Sequence, residues 1–96
     1  MSGLTFDVEE TGSGGRIVAR GPEGEAELTF SRAGEERIIA DHTGVPRAMG
    51  GQGVGTELVS RLHDYARQKG VRVVPLCPFV KAKMTEHPAW RDVLDA

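Results

Sequence analysis

The chain has 96 residues, enough for one domain, 1–96, and hardly for two. Its formal net charge of −2 excludes a protein drawn as a whole to nucleic acid or to an anionic membrane surface. A single cysteine excludes an intrachain disulfide, no apolar run approaches the roughly 20 residues that span a bilayer, and Met1 to Glu10 has no signal-peptide core. We therefore expect a cytoplasmic protein with neither a nucleic-acid nor a membrane partner.

The first half of the chain predicts antiparallel strands. Apolar and polar residues alternate in three segments, Thr5–Glu9, Arg16–Arg20 and Ala26–Ser31, and a period of two places one apolar face inward. Glycine-rich turn signals at Thr11–Gly15 and Gly21–Gly24 separate the segments. The pattern predicts a meander of hairpins.

A fourth strand is predicted at about Glu36–His42. It carries Ile38, Ile39 and Ala40 in succession, and apolar residues on both faces indicate a strand that is covered on both sides. By the alternation of a regular strand, His42 would share a face with Ile38 and Ala40.

The second half changes to helical spacing. From Val54 the apolar residues recur with the period of an amphipathic helix, and Gly70 is placed to end it. A short strand, Val71–Val74, follows. A second helix is expected from near Pro78, a favoured first helical residue, to near His87, which precedes a proline. The predicted class is α+β, with a mainly antiparallel sheet and one strand–helix–strand crossover.

The glycine-rich turn from Gly50 to Thr56 lies between a predicted strand and the first helix. Glycines let backbone N–H groups approach an anion, and the start of a helix adds partial positive charge, so the ligand that suits the turn is a phosphate or pyrophosphate. Thr56 stands where a dinucleotide fingerprint needs a glycine, and also where a nucleotide P-loop needs its lysine. The alternative is a tight connection that binds no ligand.

Three motifs follow one another in the chain: His42-Thr43-Gly44-Val45-Pro46, Gly51-Gln52-Gly53-Val54-Gly55, and Pro75-Leu76-Cys77-Pro78-Phe79. With these motifs the chain resembles the GCN5-related N-acetyltransferase superfamily, and more narrowly its very small single-domain subfamily. The resemblance runs from about Ala26 to Leu94. It implies a reduced acyl-CoA N-acyltransferase fold, without the long N-terminal helices and last strands of larger relatives.

The resemblance also implies acetyl-coenzyme A as cofactor. The backbone amides of Gly51 to Gly55 would bind its pyrophosphate, and its pantetheine arm would lie along the strand end at His42–Val45, where two strands diverge. The implied cofactor-binding residues are Thr43, Val45, Gly51, Gln52, Gly53, Val54, Gly55 and Thr56.

The chain departs from the superfamily pattern at two positions. Gly50 stands where the motif opens with Gln or Arg, and either Arg47 or Gln52 could supply the missing side chain. Lys83 stands where many members carry a tyrosine that protonates the leaving thiolate. We interpret Lys83, like Lys81, as part of a solvated helix face.

Cys77 and His42 are the candidate catalytic residues. Cys77 comes just before the helix that Pro78 opens, where the helix dipole lowers the pKa of a thiol, and a thiolate there could accept an acetyl group. The alternative is a small buried hydrophobe. His42 could act as general base for an incoming amine or for Cys77, or could simply be hydrogen-bonded at the strand end. His63 is interpreted as a surface or helix-packing residue, and the spacing of Cys and His indicates no metal site.

The resulting hypothesis is an N-acetyltransferase that moves acetyl from acetyl-coenzyme A to an amine, either directly or through Cys77. The acceptor would be a protein lysine or a polyamine. Two alternatives stay open: a coenzyme A-binding module without turnover, and an interaction domain with no small ligand.

Overall fold

The first half of the chain forms the predicted meander. A computed structural model describes residues 3–95, so Met1, Ser2 and Ala96 of the predicted 1–96 domain lie outside the described residues. The first four strands pair antiparallel, each with the next along the chain. They are β1 (Thr5–Thr11), β2 (Gly14–Gly21), β3 (Gly24–Ala33) and β4 (Arg37–Gly44).

The second half supplies the predicted crossover. A 3-10 turn, Arg47–Met49, leads into helix α1 (Val54–Lys69), which returns the chain to β5 (Arg72–Pro75). Strand β5 pairs in parallel with β4, so the sheet order is β1-β2-β3-β4-β5. Gly70 ends α1 as predicted, with φ of 71° and its N–H donating to the carbonyls of Ala66 and Arg67.

Both remaining helical segments lie on the same side of the sheet as α1. Helix α2 spans Pro78–Glu86, and a 3-10 segment, Pro88–Val93, follows it. Val80 and Met84 of α2 are buried in the same core as Leu58 of α1 and the inward residues of the sheet. One apolar core therefore lies between one sheet face and the helices.

The other face of the sheet is open among the described residues, which corrects the prediction for β4. Ile39 projects from this face and is only half-buried, whereas Ile38 and Ala40 face the core. The apolar run predicts a strand that is covered on both sides. Because α1 and α2 share one face, β4 is covered on that face alone.

An ion-pair network covers the middle of the open face. Arg16 lies 2.7 Å from Glu9 and 2.7 Å from Glu27, while Arg20 pairs with Glu25 at 3.0 Å. Beneath them Val18 is 0% exposed. The aliphatic stems of arginine bury apolar surface while the guanidinium groups reach solvent, so the network substitutes for a helix over Val18.

A bulge in β4 changes which way His42 points. Thr29 pairs with His42 while the next residue, Phe30, pairs with Ala40, so Asp41 is one extra residue in β4. One extra residue in a strand moves the side chain of every later residue in that strand to the opposite face of the sheet. The prediction that His42 shares a face with Ala40 is therefore wrong: His42 is exposed on the open face.

Candidate active site

Strands β4 and β5 separate at the position of Cys77. Their pairing runs from Arg37–Arg72 to Ala40–Pro75, and β4 then continues to Gly44 without β5 beside it. The backbone N–H of Cys77 donates to the carbonyl of Ala40 at 2.9 Å, which places this residue in the fork. A gap between neighbouring strands lies here, as predicted.

The glycine turn presents backbone N–H groups at the start of α1. Gly51 and Gly53 have φ of 76° and 75°, the left-handed region that residues with a Cβ rarely adopt. Gly53 is the N-cap, and no side chain caps the helix. The first N–H groups of α1 have no intrahelical acceptor, so they are free to bind an anion.

The predicted cofactor residues of the turn divide by exposure. Gly51, Gln52 and Gly53 are exposed, Thr56 is half-buried, and Val54 and Gly55 are buried. The Val54 side chain packs in the core, so this residue can offer a ligand only its backbone. The role of all six in binding coenzyme stays a prediction.

Helices α1 and α2 meet at Gly55 and Phe79. A Cβ at position 55 would lie 2.8 Å from Cζ of Phe79, so the ring occupies the space that any larger residue would fill. Phe79 is nevertheless 38% exposed. The contact places the first turn of α2, and Cys77 at its N-cap, beside the glycine turn. The sequence does not reveal this contact of Phe79, because the residue spacing within one helix does not show what packs against a glycine of another.

Cys77 has the environment of a stabilised thiolate. Its side chain is 7% exposed, and Sγ lies 3.6 Å from Oγ1 of Thr43. Burial by itself raises the pKa of Cys77, but donors at the backbone of Val80, the hydroxyl of Thr43 and the backbone of Phe79 outweigh it, so the pKa lies below the ordinary thiol value. Thr43 thus contacts the candidate nucleophile directly.

His42 and Cys77 are not brought together. Thr43 pairs with Leu28 on the core-facing side of the sheet, whereas His42 pairs with Thr29 on the open side. His42 and Thr43 therefore project from opposite faces of the sheet, and His42 cannot be the base that activates Cys77. Val45, the other residue predicted to lie along the pantetheine arm, is exposed just past the end of β4.

His63 is a helix-packing residue, as predicted. It is 8% exposed, and its Nε2 lies 2.8 Å from a carboxylate oxygen of Asp92, which joins α1 to the C-terminal 3-10 segment. Residues 3–95 contain no cluster of three side chains suited to hold a metal ion. Within the same residues, no helix is both long and apolar enough to cross a bilayer.

Comparisons with known proteins agree with this architecture. A family model described as GCN5-related N-acetyltransferase matches residues 16–93. The solution NMR structure of a GCN5-like protein from Staphylococcus aureus, named as a candidate N-acetyltransferase, is similar with a TM-score of 0.71 and 28% identity, covering 100% of this chain and 92% of that one. A search of curated proteins found no match. The predicted reduced acyltransferase fold is thereby confirmed, and the chain belongs to the GCN5-related N-acetyltransferase family.

Proposed function

We propose that the protein is an acetyl-coenzyme A-dependent N-acetyltransferase in which Cys77 carries the acetyl group. The observation that supports this most strongly is the position of Cys77, at the N-cap of α2 in the fork between β4 and β5, with Oγ1 of Thr43 3.6 Å from Sγ. A nucleophilic thiol needs its thiolate form at neutral pH, and the donors around Sγ favour that form.

The fork and the glycine turn fit the two ends of a coenzyme A thioester. The backbone N–H groups from Gly51 to Thr56 suit a pyrophosphate, since Gly51 and Gly53 are exposed and carry no Cβ that would obstruct them. Beyond Ala40, β4 has no strand on its β5 side, so the backbone at Thr43 to Val45 can pair with the amides of a pantetheine arm. Bound there, the coenzyme would supply an activated acetyl thioester.

The proposed transfer has two steps. The Cys77 thiolate attacks the acetyl carbon; a bond from that carbon to Sγ forms as its bond to the coenzyme sulfur breaks, and coenzyme A leaves as a thiolate. An amine nitrogen then attacks the acetyl carbon and Sγ leaves, which restores the Cys77 thiolate. Backbone N–H groups near Thr43 to Val45 would stabilise the negative oxygen in both steps.

His42 lies exposed on the open face of the sheet, opposite to Cys77, so it is not the base for an amine that attacks an acetyl group on Sγ. The proton that this amine loses would pass to water. The proposed acceptor is a protein lysine or a polyamine. A free thiol with a catalytic role also suits the cytoplasm, where cysteines are kept reduced.

A coenzyme A-binding module without turnover is the second candidate. It is favoured by the small exposed fraction of Cys77 and by Lys83 at the position where many relatives carry a tyrosine acid. The two candidates share a ligand and differ in whether Cys77 reacts.

Intact mass of the protein after mixing with acetyl-coenzyme A separates these candidates, with binding measured in parallel by calorimetry. We expect saturable binding and one acetyl adduct that maps to Cys77 and is absent in Cys77→Ala. Binding with no adduct, and no product in an amine screen, would establish the non-catalytic module. Absence of binding at millimolar ligand would refute both and favour an interaction domain.

A further inference from the structure

A small cavity lies between the end of α1 and the β3–β4 hairpin. Its volume is about 120 Å³. The floor is formed by Ile38 of β4 and Tyr65 of α1, which are both buried, with the half-buried Val71 beside them. A water molecule occupies about 30 Å³ of the liquid, so the cavity has room for one small ion of several heavy atoms.

Three basic side chains and one acidic side chain line this cavity. Arg32, Arg37 and Lys69 carry the positive charges, and Glu35 carries the negative one. The chain as a whole has the opposite balance, with 14 acidic residues against 12 basic ones. The lining therefore has the sign of charge that attracts an anion, although the net charge of the chain is −2.

Arg32 stands at a strand position that faces the helix side of the sheet. It pairs with Ile38 across the β3–β4 ladder, and cross-strand partners project from the same face. Ile38 is buried in the core, so Arg32 projects toward the place where α1 ends at Lys69. Within residues 3–95, Arg32 forms no ion pair with a carboxylate. Its guanidinium is available to donate to an oxyanion in the cavity.

The other two cations keep donors for a ligand. Nε of Arg37 lies 2.5 Å from a carboxylate oxygen of Asp95, and a guanidinium has further N–H donors on its two terminal nitrogens. Nζ of Lys69 lies 3.6 Å from Glu10, and surface pairs of this kind contribute little free energy. Glu10 also accepts a hydrogen bond from the hydroxyl of Tyr65 at 2.8 Å, so it keeps a partner when the ammonium turns toward another anion.

We propose that this cavity binds a small tetrahedral oxyanion, namely a phosphate that is either free or the end group of a phosphomonoester. Arg32 and Arg37 would donate to the phosphate oxygens through their guanidinium groups, and Lys69 would add a third positive charge. Helix α1 has 16 residues and is about 24 Å long, so the cavity and the glycine turn lie at its opposite ends. Binding of phosphate here does not depend on coenzyme A in that turn.

The test is a calorimetric titration of the full chain with inorganic phosphate, at an ionic strength held constant with sodium chloride. We expect saturable binding at one site. Arg32→Met keeps the apolar stem and removes the charge, and it should bind roughly tenfold more weakly, as for one lost charged hydrogen bond. Arg32→Lys keeps the charge and should retain most of the affinity. Arg61→Met, the matched control, changes an exposed arginine of α1 outside the cavity and should bind as the unchanged protein does.

Glu35→Gln tests the same cavity by a change of opposite sign. It removes the carboxylate of the lining and with it a repulsion, so this variant should bind phosphate several-fold more tightly than the unchanged protein. Phenyl phosphate separates the two sources of the ligand. Tighter binding than inorganic phosphate indicates a phosphomonoester, and weaker binding indicates the free ion.

Absence of saturable binding at millimolar phosphate would overturn the inference. Equal losses of affinity in Arg32→Met and Arg61→Met would overturn it as well, because they would show only the general attraction of basic side chains for an anion. These titrations contain no coenzyme A, so neither result bears on Cys77 or on the proposed function.

Discussion

The Sγ atom of Cys77 lies 3.6 Å from Oγ1 of Thr43, across the gap between the start of α2 and the end of β4. This is the one side-chain hydroxyl among the donors that lower the pKa of the thiol. A hydrogen bond to a charged group contributes more than one between neutral groups, so Thr43 should matter most when Cys77 is ionised.

Thr43→Val should therefore raise the pKa of Cys77. The shape of the side chain is retained and its donor is lost, so the thiolate is less stabilised while burial still opposes it. The pH at which the rate of alkylation by iodoacetamide increases should be higher in the variant than in the unchanged protein. At neutral pH the rate in the variant should be several-fold lower. Thr43→Ser, which keeps the hydroxyl, is the control. Superimposable pH profiles for all three proteins would show that the hydroxyl does not stabilise the thiolate.

The effect of Gly55→Ala on the free energy of unfolding should depend on the residue at position 79. Alanine normally stabilises a helix by about 1 kcal/mol relative to glycine, but here its Cβ would lie 2.8 Å from the Phe79 ring, and overpacking costs about 1–3 kcal/mol. In the Phe79→Ala background the ring is gone, and the same substitution should be stabilising. Urea unfolding of the four proteins gives the coupling free energy. A coupling near zero would mean that the ring turns aside without cost.

Asp92 should contribute a pH-dependent part of the stability. Burial raises the pKa of Asp92. The hydrogen bond from His63, the charge of His63 and the charge of Arg67 lower it by more, so the pKa in the folded protein is below the ordinary 3.8. A depressed pKa contributes stability that is present above the unfolded value and is lost as pH falls through the folded value.

Asp92→Asn should consequently be less stable than the unchanged protein at pH 7, with a difference that shrinks once the pH is lowered past about 4. Urea unfolding of both proteins at pH 7 and below about pH 4 measures this difference in stability. Asp64→Asn is a control, because Asp64 lies at a longer 3.2 Å from His63 and is far more exposed. A difference that stays constant with pH would show that the carboxylate's charge is not involved.

Arg16→Met should destabilise the fold in a salt-dependent way. Without this guanidinium, Glu9 loses one of its two arginine partners and Glu27 loses the arginine beside it, so carboxylates repel one another on the open face. Salt screens that repulsion, so the difference from the unchanged protein should be smaller at 1 M than at 10 mM sodium chloride. A difference independent of salt would point to lost packing over Val18 as the whole cause.

The sequence was most informative where single residues set the backbone. Gly70 and Pro78 marked the end of α1 and the start of α2, since glycine tolerates the left-handed conformation and proline favours the first helical turn. The gap beside β4 was implied by the resemblance and is present in the structure, whereas the binding role of the glycine turn stays a prediction. Cys77 was placed correctly at a helix N-cap by its position before Pro78.

The remaining features depend on contacts that a local pattern does not carry. The one-sided sheet could not be foreseen, because an apolar run such as Ile38 to Ala40 is the same whether one face or two are covered. The contact of Gly55 with Phe79 joins two helices, and neither residue signals its partner. The bulge at Asp41 leaves a sequence that looks like an unbroken strand.

That extra residue decides which of two neighbouring side chains faces the enclosed side of the sheet. Thr43 belongs to the enclosed side with the thiol, and His42 belongs to the solvent side. Deleting Asp41 would restore the regular alternation of a strand. The imidazole of His42 would then face the core and the hydroxyl of Thr43 would face solvent, although neither residue is itself substituted. In a sheet whose described helices all lie on one face, a one-residue insertion thus decides whether a hydroxyl or an imidazole lies beside the thiol.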